Sequence, residues 1–159
     1  MAMTYTVRDT RTAIAEPSRT KLSNALWIGA SLQFAAVLLP LIDLWFIGSI
    51  KGHVRDTYPQ WGTELIDGDT RAIAFALVGI GLLGVVGWIG TALYAARGRK
   101  VRAAVTTMFV LGMGTLLIVA TMGGGDYDVI VPPWIGVILV CLPLWPAISA
   151  LVHAWRLQR

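Results

Sequence analysis

The sequence predicts an all-α integral membrane protein: a four-helix bundle with both termini cytoplasmic and a short interfacial helix in the first outer loop. Two observations carry this prediction. Charged residues make up 14% of the 159-residue chain, whereas soluble domains carry about 25%. Four stretches almost without charge also reach the ~18 apolar residues that suggest a bilayer-spanning helix. These predicted spans cover about residues 22–50, 72–96, 102–122 and 132–155.

The distribution of basic residues predicts the orientation of the spans. Ten of the thirteen Lys and Arg residues lie before the first span, between the second and third, or after the fourth. The remaining three share the other side with six acidic residues. The positive-inside rule then places both termini in the cytoplasm. We therefore expect a multi-pass protein of the plasma (inner) membrane, whose basic cytoplasmic rim contacts anionic lipid headgroups.

The composition also bears on the source and on other partners. The preference for Arg over Lys and the richness in Ala and Gly favour a bacterial origin. Nucleic acid is not an expected partner, because no array of aromatic residues accompanies the basic ones. The lipid bilayer, together with a homo-oligomer or a larger membrane complex, is the expected environment of the chain.

The first 21 residues differ in composition from the rest of the chain. They are polar and offer little to bury, so we predict a mobile cytoplasmic tail over residues 1–21 and one transmembrane domain over residues 22–159. No small-residue cleavage pattern closely follows the first apolar run, and we expect this span to be kept in the mature chain. Ser23 or Asn24 is predicted to cap its helix.

One face of the first span is small and polar. Its members recur at helical spacing, and they are Gly29, Gln33, Ala36, Pro40 and Asp43. The opposite face is bulky and apolar, and Trp27 and Trp45 lie about 27 Å apart along it at 1.5 Å per residue. This distance nearly matches the ~30 Å hydrocarbon core, which places Ala36 near the midplane and Asp43 about 10 Å outward of it. We therefore expect the polar face to point into the bundle.

A carboxylate buried at this depth needs a partner or a proton. Arg71, at the outer start of the second span, is the predicted partner, because its long side chain can reach down from the interface. The candidate intramembrane polar site therefore consists of Asp43, Gln33 and Arg71. Two interpretations stay open: a tie that fixes the register of the helices, and a titrating or cation-binding site.

The first outer loop contains the segment "TYPQWGTELI", for which we predict a short interfacial helix. Pro59 suits the first turn of a helix, and Trp61, Leu65 and Ile66 are expected to face the membrane. The following "DGD" is predicted to be a turn, with Asp69 or Thr70 capping the second span.

Small residues mark the positions where helices are predicted to approach closely. In membranes such positions matter because lipid gives apolar side chains no preference for one another. The predicted helix-packing residues are Gly29 and Ala36 in the first span and Gly81, Gly84, Gly87 and Gly90 in the second. The third span carries Gly112, Gly114 and Thr115, and the "RGRKVR" turn joins it tightly to the second. Pro143 and Pro146 are expected to kink the fourth span.

The remaining polar residues predict no strong site. The outer acidic residues form a weak candidate for a cation site, and they are Glu64, Asp67, Asp69, Asp126 and Asp128. Caps and solvated turns on the acid-rich side are the favoured explanation of these residues. His53 and His153 fall at opposite membrane faces and cannot share one metal. We expect no metal and no cofactor, and we find none of the familiar catalytic motifs, so no catalytic residue is assigned.

These observations favour a small polytopic membrane protein that acts as a non-catalytic accessory, assembly or regulatory subunit. The alternative is a small ion-coupled transporter that uses Asp43 and Gln33. A third hypothesis is an enzyme that acts on lipid or isoprenoid at the outer face through its acidic residues.

Overall fold

The protein is described by a computed structural model, which covers residues 5–98 and 100–157, with side chains from residue 19 onward. Within these ranges the chain forms five α-helices and no strand. The helices are α1 (Tyr5–Ile42), α2 (Ser49–Thr57), α3 (Thr63–Ala96), α4 (Val101–Thr121) and α5 (Pro133–Arg156), with a π-helical turn at Asp43–Ile47 between α1 and α2. The predicted all-α architecture is confirmed.

Four helices are long and apolar enough to cross a membrane, and they correspond to the four predicted spans. Their apolar segments run over Arg19–Ile47, Thr63–Ala96, Val101–Thr121 and Pro133–Arg156. The chain therefore has the architecture of a multi-pass membrane protein. The positions of its termini relative to the membrane stay a prediction.

The start of the first helix differs from the expectation. Helix α1 begins at Tyr5, so Ser23 and Asn24 lie inside it and cap nothing. The backbone of residues 5–21 continues the first span as helix, and the mobility predicted for residues 1–21 stays a prediction. Residues 1–4 and the rim residues Arg99 and Arg159 lie outside the described residues.

The two faces predicted for the first span are present. All five residues of the small and polar face are buried, with Gln33 3% exposed and Asp43 0% exposed. On the opposite face Trp27, Phe34 and Trp45 are exposed. The helical period places the two sets on opposite sides of one helix, and the small side chains let α1 lie closely against its neighbours α3 and α5.

The buried apolar residues form two clusters, one towards each end of the bundle. We call the end of the bundle that carries the C-terminus of α5 inner and the opposite end outer, after the predicted orientation. The inner cluster joins Leu26, Trp88 and Val105, among others. The outer cluster includes Ile50, Ile66 and Ile135. The bundle is thus packed at both ends by side chains from several helices.

Glycines mediate the close approach of α3 to its neighbours. A Cβ atom added to Gly81 would lie 2.7 Å from Val37 Cγ2, and one added to Gly84 would lie 2.9 Å from Gln33 Nε2. Gly29 packs in the same way against the ring of Trp88, and Gly87 against Met108. Gly90 differs from the other predicted packing positions, since a Cβ atom there would have no such neighbour within 4 Å.

The short helix of the first outer loop lies earlier in the chain than predicted. It forms at Ser49–Thr57, while Tyr58–Gly62 makes the connection to α3. Pro59 therefore lies in a turn and not in a helix. The cause is local, because Gly48 adopts a left-handed backbone (φ 76°) that ends the first helix and starts α2. That α2 lies at a membrane interface stays a prediction.

Helix α3 begins earlier than the predicted second span. It starts at Thr63 and includes the "DGD" segment, so neither a turn nor a cap forms there. Thr70 instead donates a hydrogen bond to the carbonyl oxygen of Ile66 within the helix, at 2.6 Å. Of the residues expected to face the membrane, Leu65 is exposed but Ile66 is buried in the outer cluster.

Helix α4 is connected to α3 by a short turn and to α5 by a longer loop. The turn between α3 and α4 uses left-handed backbone at Gly98 and Lys100. The α4–α5 loop contains an antiparallel bridge between Gly124 and Tyr127. Pro143 and Pro146 are buried within α5, which continues as one helix from Pro133 to Arg156.

Candidate functional site

The carboxylate of Asp43 is completely buried and caps the N-terminus of α2. Its Oδ1 accepts hydrogen bonds from the backbone N–H of Ser49 (3.1 Å) and from the Ser49 hydroxyl. Its Oδ2 accepts a hydrogen bond from the backbone N–H of Ile50 at 2.8 Å. The first N–H groups of a helix have no partner within the helix, and they carry partial positive charge. This helix start therefore supplies the donors and the favourable field that a buried carboxylate needs.

The π-helical turn and Gly48 give Asp43 this orientation. The backbone N–H of Gly48 closes the turn by donating to the carbonyl oxygen of Asp43 at 2.7 Å. The chain then reverses at the left-handed Gly48, so that the start of α2 comes back over the Asp43 side chain. The Ser49 hydroxyl also accepts a hydrogen bond from Trp134 Nε1 at 3.2 Å, which links this junction to α5.

The predicted ion pair between Asp43 and Arg71 is wrong. Arg71 is exposed, and the salt bridge found within the described ranges joins Lys51 to Asp67, with 2.7 Å between Nζ and Oδ1. The physical reason is proximity along the chain. Donors six and seven residues after Asp43 already give each of its oxygens a hydrogen bond, so the buried carboxylate does not need a side chain from another helix.

Gln33 is the second buried polar residue of the candidate site, and it is separate from Asp43. The two residues are ten positions apart in the chain, which corresponds to about 15 Å along a helix axis. The Gln33 amide packs directly over Gly84 of α3. The structure thus does not bring Asp43, Gln33 and Arg71 together into one site.

A cavity of about 270 Å³ lies beside Gln33, between α1, α3, α4 and α5. Its wall is mainly aliphatic, aromatic and methionine side chains, including Trp88, Met108 and Phe109. Gln33 is the buried amide in this wall. Sequence reasoning found Gln33 through the helical period, but the cavity depends on how four separate helices pack.

A polar cluster at the outer end joins α2, α3 and the α4–α5 loop. Tyr127 donates a hydrogen bond to Asp69 Oδ2 at 2.6 Å, and Tyr58 Oη accepts one from the backbone N–H of Asp126 at 3.0 Å. His53 Nε2 lies 2.7 Å from the carbonyl oxygen of Val129, and its ring stacks on Tyr127. Sequence reasoning missed Tyr58 and Tyr127, because their partners are about 60 residues away or more in the chain.

The outer acidic residues do not converge on a cation. Asp67 pairs with Lys51, whereas Asp69 accepts its hydrogen bond from Tyr127. Residues two apart on a helix do not face each other, which separates these two carboxylates. Among the residues that the structure describes, no three His, Cys, Asp or Glu side chains are grouped closely enough to hold a metal ion.

Tyr127 gives the polar cluster at the outer end a predictable pH dependence. Burial, and then the hydrogen bond to Asp69, raises the pKa of the Tyr127 phenol above its ordinary value of 10.0. A raised folded-state pKa gives stability that is fully present below the unfolded-state pKa and is lost as the pH rises through the folded-state pKa. The contribution of this hydrogen bond should therefore be constant from pH 7 to 9 and decrease above about pH 10.

Replacing Tyr127 by phenylalanine is expected to lower the free energy of unfolding by about 1 kcal/mol at neutral pH. This is less than the roughly 1.5–3 kcal/mol of a hydrogen bond to a charged group, because the pair is partly exposed to solvent. Denaturant unfolding in detergent at several pH values measures the loss. Tyr94→Phe, at an exposed position of α3, is the matched control. A difference from wild type that stays unchanged above pH 10 would contradict the assignment.

The chain matches no protein-family model, and comparison with curated proteins and with solved structures returns no similar protein. The fold defines a small, four-span, multi-pass membrane protein.

Proposed function

We propose that the protein is a non-catalytic subunit of a plasma-membrane assembly and that it binds the transmembrane helix of another chain through α4. One observation carries the proposal. Only 6% of the residues in the apolar stretch of α4 are buried, against 44% in α1, 28% in α3 and 39% in α5. Helix α4 therefore has most of its surface free for a neighbour.

The exposed surface of α4 has the form of a helix-packing site. Val110, Leu117 and Ile118 are exposed and lie around Gly114 at helical spacing. A Cβ atom added to Gly114 would have no neighbour within 4 Å, so this glycine has no packing role inside its own chain. In a membrane, small residues let two backbones approach closely, and van der Waals packing then holds the helices together. Gly114 offers such a point of approach.

The arrangement around Asp43 favours this structural function over the transport alternative. A coupling carboxylate must exchange its proton or cation during transport. The Asp43 oxygens are instead occupied by three donors at a helix start, and Gln33 lies about 15 Å away along the helix. Asp43 is thus better placed to hold α2 on α1 than to bind a transported ion.

The orientation inferred from the charges is part of the proposal. Both termini lie in the cytoplasm, where basic side chains contact anionic headgroups. Arg102 illustrates such a rim residue, since its guanidinium lies 4.7 Å from the ring centre of Trp155 and donates to the Trp155 carbonyl oxygen. Labelling of cysteines introduced at each end by a membrane-impermeant reagent tests this orientation.

Photocrosslinking in native membranes tests the proposed role of α4. A benzophenone amino acid replaces Val110 of α4 or, as the matched control, Phe75 of α3, which are 60% and 58% exposed. We expect a crosslinked protein product from position 110 and mainly lipid adducts from position 75. The mass of the product distinguishes a second copy of this 17.2 kDa chain from a different polypeptide. Lipid adducts alone at both positions would refute the proposal.

A further inference from the structure

The cavity between α1, α3, α4 and α5 reaches the lipid-facing surface of the bundle. Leu83 of α3 and Leu111 of α4 belong to its wall, yet they are 73% and 64% exposed. The seam between these two helices is therefore open to the side. A molecule dissolved in the bilayer can enter there without crossing either aqueous face.

Gln33 is an unpartnered polar group at the buried side of this cavity. Its residue is 3% exposed, it belongs to the cavity wall, and no described residue forms a hydrogen bond with its amide. The amide nitrogen and oxygen of Gln33 are not among the fully buried side-chain atoms without a partner in the described residues, so they are accessible from the open space of the cavity. The amide carries both donors and an acceptor. It is therefore ready to bind a carbonyl or a hydroxyl oxygen of a ligand.

The rest of the wall indicates what surrounds that oxygen. Trp88 and Phe109 present aromatic surface, and Met108 and Met113 add polarizable thioethers that contact aromatic rings favourably. No Asp, Glu, Lys, Arg or His side chain belongs to the wall, so the ligand is neutral. The volume of about 270 Å³ is roughly twice that of an engineered apolar cavity that takes up benzene. This suits a substituted ring better than a bare acyl chain.

We propose that this cavity binds a neutral, lipid-soluble ring compound with a carbonyl or hydroxyl oxygen, which forms a hydrogen bond with Gln33. An isoprenoid quinone and its quinol share this chemistry, because the amide donates to the first and accepts from the second. The ligand enters between Leu83 and Leu111 and extends its tail along the seam into the bilayer. The site is independent of the glycine face of α4, since Gly114 is not part of the cavity wall.

Calorimetric titration of the full chain in phosphatidylcholine nanodiscs tests the site, with empty nanodiscs as the blank. The probes are decylubiquinone, decylbenzene, which lacks the oxygen, and 1-decanol, which lacks the ring. We expect decylubiquinone to bind the wild-type protein most tightly. Gln33→Leu should weaken decylubiquinone binding up to about tenfold, the value of one hydrogen bond, and should leave decylbenzene unaffected. Equal binding of decylubiquinone and decylbenzene, or no loss in Gln33→Leu, would overturn the proposal.

A substitution at Gly112 of α4 provides a second test that leaves Gln33 intact. Gly112 belongs to the wall, and a Cβ atom there would meet only Met108 Cε at 3.8 Å, so the leucine of Gly112→Leu can extend into the cavity. We expect this variant to lose at least tenfold in affinity for decylubiquinone. Gly79→Leu, at an exposed glycine of α3 that is not part of the wall, should bind the probe like the wild type. Displacement of decylubiquinone by 1-decanol at the same concentration would overturn the assignment of a ring.

Discussion

Replacement of Asp43 by leucine is expected to lower the free energy of unfolding by about 2–4 kcal/mol. The change leaves the backbone N–H groups of Ser49 and Ile50, and the Ser49 hydroxyl, without the acceptor that they have in the structure. A buried donor left without a partner costs about 1–3 kcal/mol, and part of this is recovered because Ser49 is only partly buried. Thermal or denaturant unfolding of the detergent-solubilised protein, followed by circular dichroism, measures the loss.

Asp43→Asn separates the need for an acceptor from the need for a charge. The asparagine carbonyl oxygen can accept one of the hydrogen bonds at the helix start, as Asn does at other N-caps, so we expect a smaller loss of about 1 kcal/mol. Asp56→Leu, at an exposed acidic position of α2, should change stability by less than about 0.5 kcal/mol. A stability of Asp43→Leu equal to that of the wild type would contradict the capping role.

Gly114→Leu is expected to reduce the crosslinking of α4 to its partner by about tenfold. A leucine at this position extends from the point where the partner helix approaches most closely, and it separates the two backbones. The stability of the isolated chain should not decrease, because a Cβ atom at Gly114 has no intramolecular neighbour within 4 Å. The yield of product from the benzophenone at position 110 measures the effect.

Gly79→Leu in α3 is the control for this experiment. Gly79 is exposed whereas Gly114 is half-buried, but at both positions a Cβ atom meets nothing within 4 Å, and Gly79 lies on a different helix. We expect the crosslinking yield of this variant to equal that of the wild type. An equal loss in both glycine variants would show that added bulk anywhere on the lipid-facing surface reduces the yield, and the role assigned to α4 would be withdrawn.

The architecture and the inward face of α1 could be predicted because both depend on properties within single helices. Apolar length determines a span, and the 3.6-residue period determines which side chains share a face. Gln33 and Asp43 were placed correctly in the interior on this basis. The helix-packing role of Gly81 and Gly84 followed from the same local pattern.

The partner of Asp43 could not be predicted in this way. It depends on a π-helical turn and on the left-handed Gly48, which together bring the chain back over the carboxylate. The "GS" at Gly48 and Ser49 carried a signal, since glycine commonly ends a helix and serine commonly begins one. Because the predicted first span extends to Ile50, it places Gly48 and Ser49 inside one helix and misses the boundary between α1 and α2.

The low burial of α4 and the cavity beside Gln33 also could not be predicted from the sequence. All four spans are similarly apolar, so hydropathy does not indicate which of them is least covered. The polar cluster of Tyr58 and Tyr127 at the outer end joins segments that are far apart in the chain, and no local sequence pattern links them. These features arise from how the helices pack against one another.

The way in which α4 is held determines how the seam beside it can move. Its inner end is fixed by the buried Val101 and Val105, and near its outer end Ala120 packs against Gly136 of α5. The loop beyond is held by a hydrogen bond to Tyr58, the residue that follows α2. A helix that is held at both ends bends most easily at its centre, and the centre of α4 lies near Gly112. Bending of α4 at this level would therefore widen the seam beside Gln33 towards the bilayer while the contacts at the two ends of α4 are kept.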